Sequence, residues 1–433
     1  MDTIAHKRTI RAWTMYDWAN STFATTIAAA VLPVYYSTVA SANLAPHEAT
    51  SNWAFTTTIA LVLVALLGPI LGAMADFSGA KKRFMTIFVV IGVFGTALLY
   101  LVKSGDWLMA SVFYIIGSIG FAGANVFYDS LLPHIANDDE IDQVSSRGYA
   151  MGYAGGGILL AINLAMIMLS PDHLTEIMTR ISFLTVSVWW FVFTIPLWKN
   201  VQEPPRRILA TEIGFNPVKA SLSRLSGTFK EIRKYKELTK FIVAFWLYNN
   251  GIGTIIFMAT IYGTELGFSA TTTIGTLLMV QFVAIPFAFL FGWLAKKIGT
   301  KRSILLSLLI YTLIAIGGYF LYKEIHFWLL GFAVAMVQGG SQALSRSLFG
   351  RMMPKSKSAE FYSFFSVSEK IAGTVGPLLF GVVSRIMGGS RLSIVSLIIF
   401  FSLGGILLWK VKEKEGIAIA EAEEKILIAN NIA

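Results

Sequence analysis

The sequence predicts an all-α membrane protein, with twelve transmembrane helices in two pseudo-symmetric six-helix bundles. Three observations carry that reading. Hydrophobic residues make up 55% of the 433, and the mean hydropathy is +0.65. Charged residues are only 14%, against about 25% in an ordinary soluble domain, which excludes a soluble globule. The apolar stretches are also as long as the roughly 20 residues a helix needs to cross lipid. Barrel strands would be shorter and would alternate in polarity.

Apolar runs fall at roughly 12–39, 52–74, 84–102, 107–132, 147–169, 180–198, 239–263, 272–295, 303–322, 326–348, 361–388 and 391–410. The first follows Lys7 and Arg8 and precedes Ala40-Ser41-Ala42, as a cleaved signal would. Asp17 and Asn20 interrupt it, so it reads as a retained helix. Of the 35 Lys and Arg residues, 29 fall in segments on one side of the membrane and five on the other (Lys103, Arg180, Lys323, Arg385 and Arg391). Lys370 lies within a span. The positive-inside rule then places both termini in the cytoplasm, with the bacterial inner membrane as the expected location. Asp138, Asp139, Glu140 and Asp142 make one inner segment acidic, but acids weigh little in that rule.

The longest internal polar stretch, 199–238, divides the chain. In it Val218, Leu222, Leu225, Phe229 and Ile232 recur at alternating spacings of four and three, with Lys219, Arg224, Lys230, Arg233 and Lys234 on other faces. That pattern predicts a basic amphipathic helix on the inner leaflet. The expected organisation is a first bundle at 1–198, this linker, a second bundle at 239–410 and a cytoplasmic tail at 411–433. A net charge of +10 distributed in this way marks a membrane surface and its lipids, not nucleic acid.

Enzyme chemistry finds little purchase. There is no cysteine, which excludes disulfides and thiolate metal sites. The five histidines (His6, His47, His134, His173 and His326) are scattered at span ends and loops, without metal-ligand spacing. There is no phosphate-binding loop and no nucleophile elbow. The expectation is no metal, no cofactor and no catalytic centre.

The halves repeat. Gly72, Asp76, Gly79, Lys81, Lys82 and Arg83 follow the second span, and Gly292, Gly299 and Lys301 recur after the eighth, each displaced by 220 residues. Six helices duplicated in parallel suit a transporter with its site at the repeat interface. The pattern Gly-x3-Asp-x2-Gly-x-Lys-Lys-Arg resembles the loop motif of the major facilitator superfamily. Tyr16-Asp17-Trp18-Ala19-Asn20-Ser21, the glycine-rich run Arg147 to Gly157, Tyr248-Asn249-Asn250-Gly251, and Gln338 to Ser347 narrow the branch. Together they resemble the bacterial relatives of the fungal autophagy-related vacuolar amino-acid effluxers. The resemblance implies a monomeric secondary transporter of a small organic solute, with amino acids or short peptides favoured, export as the direction and protons as a coupling ion. An exporter or flippase of an amphiphile such as a lysolipid or drug is the rival, and a membrane enzyme or receptor on the same fold is another. The family pattern would place Asp where Asn250 stands and Asn where Asp129 stands.

Ionisable residues inside spans are functional candidates because uncompensated charge in lipid is costly. Asp17 shares a helical face with Asn20, beside Tyr16; in span four Asn125, Tyr128 and Asp129 fall at i, i+3 and i+4. Span seven offers Tyr248, Asn249 and Asn250. Span ten carries Gln338, Gln342 and Arg346 on one stripe. The resemblance implies that spans one, four, seven and ten line the central cavity. Glu369 and Lys370 lie in span eleven, and Lys370 is expected to neutralise an acid of span one or four or to bind an anionic group of the substrate. Structural pairing and helix packing compete with a cavity role at every one of these positions. Asp76, with Gly72, Gly79, Lys81 and Arg83, is expected to gate the inner face by capping a neighbouring helix. Lys296, at the matching place in the second half, makes that latch look one-sided.

Overall fold

The computed structural model describes residues 3–205, 234–387 and 390–430, with backbone but not side chains over 368–374 and a few isolated positions. The linker helix expected around 218–232 lies outside the described residues, as do the side chains of Glu369 and Lys370. No strand occurs among the described residues.

Twelve long helices follow in chain order: α1 Ile4–Ala40, α2 Pro46–Ser78, α3 Lys81–Leu98, α4 Trp107–Ile135, α5 Ile141–Met168, α6 Asp172–Asn200, α7 Lys236–Glu265, α8 Ala270–Ile298, α9 Thr300–Tyr319, α10 Glu324–Arg351, α11 Ser358–Met387 and α12 Arg391–Trp409. Among the described residues eleven are long and apolar enough to cross a membrane; α11 runs for 30 residues. A thirteenth helix, α13, spans Glu413–Ala429, where the sequence had suggested only a tail.

Local chemistry explains the boundaries. Gly79 ends α2 at φ 61°, a left-handed cap that a side chain would strain. In α1 the winding widens over Phe23–Ala30, where the Val31 amide reaches back five residues to the Thr26 carbonyl. Pro33, just beyond, has no amide proton to continue the ordinary ladder.

Packing divides the molecule. One buried apolar cluster runs from Ile10 to Val201 and takes in Ala359, with Leu278 packed against it, from later in the chain; a second runs from Tyr235 to Val411. A small third cluster of Tyr153, Val280, Ala284 and Ala335 joins them. Outward faces carry Leu66, Phe94, Leu309 and Leu403, all exposed, as a helix surrounded by lipid requires.

The repeated glycines seat the halves on one another. A Cβ on Gly72 of α2 would lie 2.4 Å from the Ala359 carbonyl oxygen of α11, and one on Gly292 of α8 would lie 2.9 Å from Ser146 Cβ of α5. The same position in each repeat therefore docks a helix of the other half. Both contacts lie toward one end of the bundle, where Lys7, Lys81, Lys297 and Arg351 also lie; it is called the basic end below.

Candidate functional site

The charged residues of spans one and four converge, and the base that meets them comes from span ten. The Tyr128 hydroxyl donates to Asp17 Oδ2 at 2.7 Å. Arg346, 3% exposed, brings Nη1 to 3.0 Å from Asp129 Oδ1 and Nη2 to 3.3 Å from Asp17 Oδ2. Its Nε donates to Ser145 Oγ, and Nη2 to the Ser145 carbonyl, both at 2.9 Å. A planar guanidinium with five donors can serve all of these acceptors at once, which an ammonium cannot. The Tyr149 ring lies 4.5 Å from the guanidinium carbon and the Trp13 ring 5.0 Å. Trp13 is itself stacked on Tyr128 at 4.3 Å, with its indole donating to the Tyr128 carbonyl. Two carboxyls of the first half thus share one cation of the second.

Glycines in α5 make room for this cluster. A Cβ on Gly148 would stand 2.3 Å from Asp17 Oδ2 and 2.9 Å from Arg346 Nη2. The next contacts toward the middle of the bundle are amides. Asn20 Nδ2 donates to Asn125 Oδ1 at 2.5 Å, Tyr16 packs on Tyr128 at 4.7 Å, and the Tyr153 hydroxyl reaches Gln342 Oε1 at 3.5 Å. Gln338, one turn before Gln342 on α10, is half-buried.

Span seven is placed differently. The Tyr248 hydroxyl pairs with Ser345 Oγ at 2.6 Å, and Asn250 Oδ1 accepts from the Gly376 amide at 3.0 Å. Both fasten α7 to helices of its own half. The Asn249 side chain is buried and makes no hydrogen bond among the described residues.

The basic end is closed by two sets of contacts. Asp76 caps α11, accepting from the Glu360 amide at 2.8 Å and the Ala359 amide at 3.2 Å. Lys81 Nζ lies 2.8 Å from Asp76 Oδ1 and donates to Ser358 Oγ at 2.5 Å, with His134 Nε2 at 3.0 Å. Lys82 turns instead to the segment after α6, and Arg83 is exposed. Lys296 is exposed too, yet the closure is two-sided. Asp142, at the start of α5, accepts from Thr300 Oγ1 at 2.6 Å and from Ser347, and pairs with Arg351 at 3.3 Å. The reading of a one-sided latch looked for an acid at position 296, whereas the acid sits on the opposing helix. At the far end α5 finishes on Met168 and Leu169, 77% and 85% exposed.

Comparison with known proteins agrees with this architecture. The chain superposes on the proton:xylose symporter XylE, solved with 6-bromo-6-deoxy-D-glucose, with a TM-score of 0.73 at 15% identity, covering 98% of this chain and 100% of that one. Two six-helix halves with polar side chains gathered between them define a transporter of the major facilitator superfamily, an integral multi-pass membrane protein and not an enzyme. A family model described as vacuole effluxer Atg22 like matches residues 44–421. An uncharacterized transporter of the superfamily from Bacillus subtilis, YxiO, is 36% identical over 420 residues, 96% of this chain and 97% of that protein. Autophagy-related protein 22 of Kluyveromyces lactis is 25% identical over 70% of this chain and 67% of its own length. The chain belongs to the Atg22-like family.

Sequence reasoning missed Ser145, His134, Asp142, Ser358 and Arg351. The signal for Asp142 and Arg351 was faint: an acid opening a span and a base closing one, on the same side of the membrane.

Proposed function

We propose that this chain moves a small organic solute across the bacterial inner membrane by alternating access, with amino acids or short peptides as substrates, export as the direction and protons as the coupling ion. In this reading the basic end and both termini face the cytoplasm, and the conformation described is closed on the inside. The observation that carries it is the meeting of Asp17 and Asp129 from one half with Arg346 from the other. A proton arriving on either carboxyl removes one of the two ion pairs that Arg346 makes across the interface, so the halves part more easily. A solute ammonium group competes for the same carboxyls, which gives proton and substrate opposing claims on one site. Asn20, Asn125, Gln338, Gln342, Tyr16 and Tyr128 would supply neutral contacts to the rest of the solute. Asn249 of α7, and Glu369 and Lys370 of α11, are further candidates for its carboxylate and ammonium ends.

Protein reconstituted in liposomes tests this. Flux of amino acids or peptides should follow an imposed pH gradient, and Asp17→Asn should abolish the gradient-driven flux while leaving part of the solute exchange. Full gradient-driven flux in Asp17→Asn would overturn the coupling. Transport confined to lysolipids would overturn the substrate class.

A further inference from the structure

A cleft of about 680 Å³ opens at the basic end between α1, α5 and α8, and none of the residues in contact with Asp76 lines it. Lys7, Arg8 and Arg11 from the first turns of α1 and Arg147 from α5 line it. None of the four forms an ion pair among the described residues. Glu140 on the same wall is already engaged, with His6 Nε2 at 2.6 Å and the Asn137 amide at 3.0 Å. Ser146, also in the lining, is 1% exposed, and its hydroxyl has no partner among the described residues. The opposite wall is apolar and open, with Phe289 48% and Trp293 53% exposed, and Ile4 at the rim 76% exposed.

Four cations held together repel one another unless an anion joins them. A soluble anion would leave Phe289, Trp293 and Ile4 facing water, whereas a lipid would cover them with acyl chains while its phosphate reached the cations. A tryptophan between apolar and basic surroundings is the usual furniture of the headgroup level, and basic pockets between transmembrane helices suit anionic headgroups. We propose that this cleft binds the phosphate headgroup of an anionic phospholipid, with diphosphatidylglycerol, which carries two phosphates, matching four cations better than a single phosphodiester. Lys7 and Arg11, one turn apart on α1, hold one phosphate and Arg147 the other. Because α1 and α5 belong to the first half and α8 to the second, the bound lipid bridges the closed basic end.

The test is lipid retention by the purified full chain, read by native mass spectrometry and thermal shift, with no solute flux involved, so its outcome is independent of the transport reading. The expected result is retention of diphosphatidylglycerol in preference to phosphatidylcholine, falling at least tenfold in the Arg11→Gln/Arg147→Gln double variant. Arg302→Gln, at an exposed site outside the cleft, should retain the lipid as the unaltered protein does. If the first double variant does not fold, Lys7→Gln/Arg8→Gln at the start of α1 gives the same reading. Equal retention of phosphatidylcholine, or equal loss in Arg302→Gln, would overturn the proposal. So would a thermal shift from millimolar inorganic phosphate as large as that from the lipid, which would make the cleft a soluble-anion site.

Discussion

Arg346 connects the two halves of the molecule through one side chain. Removing a single partner from a buried ion pair costs about 3–5 kcal/mol, because the other charge is left without compensation. Arg346→Gln should therefore lower the melting temperature sharply, and adding Asp129→Asn should recover part of the loss, since fewer acids are then stranded. A melting temperature unchanged by Arg346→Gln would show that the carboxyls do not depend on it. Gly148→Ala is a subtler probe. Its added methyl would sit 2.3 Å from Asp17 Oδ2, so transport should fall while the fold survives with a slightly shifted carboxylate. Asp17, Tyr128, Asp129 and Arg346 were each legible in the sequence as polar groups in apolar runs. Their pairing was not, because Arg346 stands 217 residues from Asp129 and 329 from Asp17, and helix periodicity relates only neighbours within a turn or two. Charge counting offers Lys370 as a neutralising base, and its side chain lies outside the described residues; among the described residues Arg346 is the base that meets Asp17 and Asp129.

Closure of the basic end is a property of helix termini. Asp76 meets two backbone amides at the start of α11 and also the Lys81 ammonium. Asp76→Asn keeps the shape but loses the charge on both, at least the 0.3–1 kcal/mol of a charge at a helix end. Labelling of single cysteines placed near Ser358 in this cysteine-free chain should then rise from the basic side; unchanged labelling would reject a gating role. The tail helix α13 adds a second brace. Gly416, Ala420, Glu423 and Leu427 form its buried stripe, and Glu424 accepts from the Ser356 amide at 2.9 Å and from its hydroxyl at 2.8 Å. That stripe was present in the sequence but short and rich in charge, so it read as a tail. Burial raises the Glu413 carboxyl above its ordinary range, outweighing the opposing pull of Arg351. A carboxyl raised on folding binds protons more tightly when docked. Its contribution is present at acid pH and is lost as pH climbs through the raised value. Glu413→Gln should flatten that dependence in a thermal melt. A tail whose melting becomes steadily firmer toward alkaline pH would contradict the sign.

At the scale of the whole molecule, most of the fold was legible. Hydropathy located all twelve helices because lipid imposes a length that few other environments do. The displacement of 220 residues sets Gly72 and Gly292 at matching places, and each seats a helix of the opposite half. What the repeat could not convey was its own asymmetry: the acid that closes the second contact is Asp142 on α5, facing Thr300 and Arg351, not a residue at position 296. Polar contacts join the two halves at the basic end, and in the proposed alternating access opening that end closes the other. Spin labels can follow both ends at once, with one pair at the exposed Gln143 and Lys297 of the basic end and another at Leu169 and Ile386, 85% and 72% exposed, at the far end. In liposomes, Arg346→Gln should lengthen the first distance and shorten the second relative to the protein with Arg346 intact. Two distances that stay fixed, or that lengthen together, would contradict alternating access governed by this cluster.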